Sequence, residues 1–93
     1  MYIVIQGNGG AVVKTMLIRR VNDRVRYYLV ELFENLFGEW MVIRTYGSMK
    51  AQSPTRVIRE YYTSANEAEF SAKKIIRQKE QRGYQNPSNN EGE

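Results

Sequence analysis

Only one stretch of this sequence has helical spacing, and it comes last, after a succession of β-type runs. That order leaves few folds open. The helical stretch is marked at both ends. Ser64-Ala65-Asn66-Glu67 has the form of a capping box, in which the serine hydroxyl takes a free backbone N–H and the glutamate reaches back. Glu67 and Glu69 fall at the positive end of the helix dipole, and Lys79 and Arg82 at the negative end. Ala65, Ala68, Ala72, Ile75, Ile76 and Lys79 form one stripe at helical spacing, the side expected to pack on a sheet. Gly83 suits a left-handed cap, and Tyr84 is placed to fold over the alkyl stem of Lys79.

Upstream the pattern is that of strands. Met16 to Val21 leads into an Asn22-Asp23 turn, and Arg24 to Glu34 continues as a long strand. In that strand Tyr28, Val30 and Leu32 share one face, and Tyr27, Leu29, Glu31 and Phe33 the other. Large apolar groups on both faces imply that at least one is covered by more than solvent. Asn35-Leu36-Phe37-Gly38 turns the chain into a strand from Glu39 to Tyr46. Gly47 to Pro54 is a polar loop, and Thr55 to Tyr62 returns. Short connections between successive strands argue for an antiparallel meander. The expected fold class is α+β, an antiparallel sheet of about four to six strands with one C-terminal helix packed on it.

Near the start, Gly7-Asn8-Gly9-Gly10 separates two β-rich runs. This suits a hairpin, with a mobile arm as the competing reading. The expected organisation is therefore a hairpin or arm at 1–15, a domain at 16–84 and a tail at 85–93. The tail contains no apolar residue to bury and is expected to be disordered.

Chemistry is constrained as much by what is missing. The chain has no histidine and no cysteine, which removes the commonest general base, the commonest metal ligands and any disulfide framework. Its carboxylates are scattered over different strands and turns. The expectation is a non-catalytic protein with no metal, no cofactor and no small-molecule substrate. No apolar run is long enough to span a bilayer and no secretory leader is recognisable, so no membrane association and a cytoplasmic address are expected. With Glu91 and Glu93 in the tail, residues 1–84 carry 14 basic against 8 acidic groups. An excess of this kind attracts phosphates, and would also draw acidic proteins.

Several strings, in order, carry a family resemblance: Arg26-Tyr27-Tyr28-Leu29-Val30-Glu31-Leu32, Leu36-Phe37-Gly38-Glu39-Trp40, Arg44-Thr45-Tyr46-Gly47-Ser48, Tyr61-Tyr62-Thr63-Ser64 and Lys79-Glu80-Gln81-Arg82-Gly83-Tyr84. Together, over about Met16 to Tyr84, they resemble the WGR domain, found in poly(ADP-ribose) polymerases and as stand-alone or fused bacterial domains. The resemblance implies a β-sheet with one packed helix that binds DNA rather than catalysing a reaction. The chain departs from the family at its eponymous triplet, with Tyr46-Gly47-Ser48 in place of Trp-Gly-Arg. Tyrosine keeps an aromatic face able to stack on a sugar or base. Serine removes the bidentate guanidinium. Gly47 is expected to supply the backbone freedom of a turn.

Two surfaces follow. Arg44, Tyr46, Gly47, Ser48, Lys50, Arg56 and Arg59 form the first, expected to bind DNA, or RNA, without strong sequence preference. The competing reading makes Arg44 and Arg59 cross-strand partners of Glu39 or Glu60, with Tyr46 half in the core. Phe70, Lys73, Lys74 and Arg77 form the second, on the outer helix face. Phe70 there is a candidate anchor for a protein partner or for self-association.

Overall fold

The computed structural model describes residues 3–4 and 11–87. Its elements are β1 (Ile3–Val4), β2 (Ala11–Val21), β3 (Arg24–Glu34), β4 (Trp40–Ser48), β5 (Arg56–Tyr62) and α1 (Ala65–Gln81). The strands form one antiparallel sheet in the order β1-β2-β3-β4-β5, so every strand pairs with its sequence neighbour. The α+β class expected from the sequence is borne out. Helix α1 lies against β3, β4 and β5, and is neither long nor apolar enough to cross a membrane.

Register follows from the turn at Asn22-Asp23. Asn22 adopts a φ of 58°, which asparagine tolerates better than most residues, and the tight turn sets Val21 opposite Arg24. Leu17 then pairs with Tyr28 and Thr15 with Val30. On the other side of β3, Tyr28 pairs with Tyr46 and Leu32 with Val42. Side chains opposite one another share a face, so these pairs define a covered face and an outer face. The covered face and the helix build the core from Leu17, Tyr28, Val30, Leu32, Val42, Ala68, Ala72, Ile75 and Ile76, with Val13, Trp40, Tyr46, Tyr62 and Tyr84 packed around it.

The helix begins and ends where the sequence marks it. The Ser64 hydroxyl accepts the Glu67 backbone N–H at 3.2 Å, and the Glu67 carboxylate takes the hydroxyls of Ser64 and Thr63. At the far end Gly83 has a φ of +100°, and the backbone N–H of Tyr84 returns to the Lys79 carbonyl at 3.0 Å. Of the predicted stripe only Ala65 is left exposed, being the first residue of the helix. Tyr84 packs edge-on against the Tyr28 ring.

Two boundaries differ from expectation. Strand β2 runs unbroken through Met16, and β1 pairs back on it through Ile3 with Lys14 and Val4 with Val13. The residues of the expected Gly-rich hairpin turn lie outside the described ones. The chain also stays anchored past Tyr84. Gln85 exchanges both backbone hydrogen bonds with Ile18 at 2.8 Å, and Asn86 is buried. An apolar side chain is not required for such anchoring, because the backbone alone can complete a ladder. Residues 88–93 of the expected tail are outside the described residues.

Candidate nucleic-acid interface

At one end of the covered face the sheet runs past the helix, and aromatic and basic side chains gather there. Tyr28 and Tyr46 stand on adjacent strands with rings stacked at 5.2 Å between centroids and 3° between planes. Lys79, from the last turn of α1, places its ammonium 4.6 Å above the Tyr28 ring. Tyr84 closes the edge of that ring at 6.0 Å. Tyr46 thus has one ring face held by Tyr28 and the other turned toward β5, where Arg56 is its cross-strand partner.

The first residues beyond this aromatic row are basic. Arg19 on β2 stands directly opposite Arg26 on β3, and Arg26 is in turn opposite Ser48 on β4. Like charges facing one another across a pair of strands are unfavourable. Among the described residues the ion pairs within 4.0 Å are Arg44–Glu60 and Lys73–Glu69, so no carboxylate neutralises Arg19, Arg26 or Arg56 at that distance. The Lys79 ammonium is held below its usual range by burial first, and then by the charges of Arg82 and Arg44.

The predicted residues divide over this geometry. Arg44, Tyr46, Ser48 and Arg56 share the covered face. Arg44 is half spent: its Nη2 lies 3.3 Å from Glu60 Oε1 and its Nη1 donates to the Tyr28 hydroxyl at 3.5 Å, while its Nε is buried with no hydrogen-bond partner among the described residues. The burial and hydrogen bond around Tyr28 act in opposite senses, and burial prevails, raising the phenol above its ordinary range. Lys50 is exposed in the turn after β4, which the Ser48 hydroxyl shapes by accepting the Lys50 N–H at 3.3 Å. Arg59 stands opposite Ile43 and so points to the outer face, away from the others.

Gly47 serves differently from expectation. Its φ is not in the left-handed region, and it lies within β4, buried. A Cβ there would meet the Thr55 backbone nitrogen at 2.9 Å and the Pro54 Cα at 3.3 Å. The glycine is needed for close passage of the chain returning into β5, not for a turn.

Grouping residues along the chain around the triplet does not bring in Arg19, Arg26, Lys79 and Arg82, which the fold sets beside the aromatic row. The signal was present. A two-residue turn at Asn22-Asp23 pairs positions 19 and 26, and alternation then puts both on the face of Tyr28.

A family model described as the WGR domain matches residues 14–91. The chain belongs to the WGR domain family. The match begins within β2 of the sheet and takes in the helix and the Gln85 pairing with Ile18. The WGR domain is known as a nucleic-acid-binding domain, and this WGR chain carries Tyr46-Gly47-Ser48 on β4, with the Tyr46 ring stacked on Tyr28 of β3. No curated protein and no solved structure gave a match.

Proposed function

We propose that this WGR domain binds nucleic acid, DNA before RNA, without catalysis and largely without sequence preference. Phosphates would bind the basic end of the covered face. The observation that supports the reading best is the opposed pair Arg19 and Arg26, which among the described residues has no carboxylate within ion-pairing distance and adjoins the aromatic row. A fold tolerates such a pair at a cost, and a bound phosphate removes that cost by placing a negative charge beside both guanidinium groups. Arg56, Lys79 and Arg82 enlarge the same field, with Lys50 at its margin. The Tyr46 ring face turned from Tyr28 is the stacking surface for a sugar or an unpaired base.

Arg44 acts here as support. Tied to Glu60 and Tyr28, it fixes the ring on which Tyr46 stacks. With serine at position 48 no guanidinium projects from the end of the triplet, so affinity rests on phosphate contacts from neighbouring strands and the helix end.

The test is a titration of fluorescently labelled duplex, nicked and single-stranded DNA and of single-stranded RNA at two salt concentrations. Contacts from Arg19, Arg26, Arg56, Lys79 and Arg82 predict a log–log salt slope of about −4.5 on duplex, or roughly 500-fold weaker binding at 200 than at 50 mM salt. Affinity that barely responds to salt would refute the reading.

A further inference from the structure

We infer that copies of this chain associate head to tail, the turn between β3 and β4 of one copy seating in a hollow on the outer face of α1 of the next. The turn is an apolar knob. Leu36 and Phe37 are 93% and 88% exposed, the most exposed large apolar side chains among the described residues. Soluble proteins rarely place two such groups side by side at a tip without a surface to cover them.

The knob is held in shape by one side chain. Asn35 Oδ1 accepts the backbone N–H groups of Phe37 and Glu39, each at 2.9 Å, and its Nδ2 donates to Glu39 Oε1 at 2.9 Å. The backbone adds Asn35 N–H to the Glu39 carbonyl at 2.9 Å and a left-handed Gly38 with φ of +80°. A tip ordered before contact loses little conformational entropy on docking.

Charge identifies the occupant. Glu34 and Glu39, both exposed, flank the knob. It lies at the opposite end of β3 from the basic row, so acidic flanks keep it off a polyanion and favour a basic-rimmed apolar socket. Such a socket is present on the same chain. Phe70, Lys73, Lys74, Arg77, Gln78 and Gln81 line a shallow hollow of about 330 Å³ on the helix face turned from the sheet. Phe70 there is 71% exposed. The Lys73–Glu69 ion pair is exposed and weak, and among the described residues Lys74 and Arg77 have no ion pair within 4.0 Å. Knob and socket match in polarity and in sign of charge, and the exposure of Leu36, Phe37 and Phe70 shows that they do not bury one another within one copy. A contact between two different patches propagates as a ring or an open filament. The basic end takes no part, so this inference stands whether or not nucleic acid binds.

The experiment uses the full chain, which has no cysteine of its own. Leu36→Cys and Gln78→Cys are made as separate single variants, leaving Phe37 and Phe70 in place, and treated with a short bismaleimide. Cross-linked dimer is expected only when the two variants are mixed. Dimer from Leu36→Cys alone, or none from the mixture, would overturn the proposal. Sedimentation velocity on wild type should show concentration-dependent association that salt weakens. Phe37→Ser should weaken it by roughly ten- to a hundredfold. Glu34→Lys and Lys74→Glu should each weaken it and their combination restore it. A wild type that stays monomeric to about millimolar, or a combination no better than its parents, means that the knob serves another partner and refutes self-assembly.

Discussion

Replacing Gly47 with alanine tests whether the middle of the triplet is there for space. The added Cβ would stand 2.9 Å from the Thr55 backbone nitrogen, 3.3 Å from the Pro54 Cα and 3.3 Å from the Thr55 hydroxyl oxygen. Two of these three atoms are backbone, so no side-chain rotation relieves the contact. Relief requires the returning chain to move, which strains the bond from the Thr55 N–H to the Tyr46 carbonyl, now 2.8 Å. Overpacking costs about 1–3 kcal/mol and a weakened hydrogen bond about 1 kcal/mol. The stiffer unfolded chain returns about 0.4–1 kcal/mol. The net loss is about 2 kcal/mol, or a fall in Tm of about 8–16 °C for a domain of this size. Thermal unfolding followed by circular dichroism measures it. Gly38 is the internal control, with a φ of +80° and open space around its Cβ position. There asparagine should be better tolerated than alanine, because only backbone conformation is at stake. At Gly47 asparagine should be worse than alanine. An unchanged or raised Tm for Gly47→Ala would refute the steric argument.

Four further outcomes are expected. Arg26→Gln should flatten the salt dependence of duplex binding by about 0.9 in the log–log slope, while Arg59→Gln, on the outer face, leaves the slope unchanged; equal effects would place the phosphates elsewhere. Val30→Ala, which opens a cavity beneath α1 at a residue 2% exposed, should cost about 2–3 kcal/mol in urea unfolding, with the m-value preserved. Above pH 10 the unfolded chain gives up the Tyr28 proton before the folded one, so stability falls with pH there, and Tyr28→Phe should lessen that fall. Lys79 acts in the opposite sense just below pH 10.5, since its folded form loses the proton first, and Lys79→Met should remove that gain.

How far the sequence can be read depends on whether the decisive neighbour is near in the chain. The bounds of α1 were legible because Ser64 and Gly83 act on backbone groups within one turn of themselves. The Tyr28 face was legible from alternation alone. The role of Gly47 was not, because the atom that excludes a side chain belongs to Thr55, across a polar loop with no periodicity. The anchoring of Gln85 was hidden for a related reason. A tail without apolar residues suggests disorder, yet two backbone bonds to Ile18 hold it, and backbone pairing leaves no mark in composition. The proposed interface was half legible. Tyr46 and Arg56 were placed together from sequence, whereas Arg19 and Arg26 emerge only when the Asn22-Asp23 hairpin is followed back across both strands.

The pairing of Gln85 with Ile18 also bears on solubility. A sheet grows into a fibril only if each new molecule finds an unobstructed strand border on one side and presents another on the far side. Strand β2 is met by β1 at Val13 and Lys14 and by the post-helical chain at Ile18, so its border is interrupted at both places. Among the described residues only the β5 border offers a continuous run, and a molecule with a single usable border can cap a neighbour but cannot extend a stack.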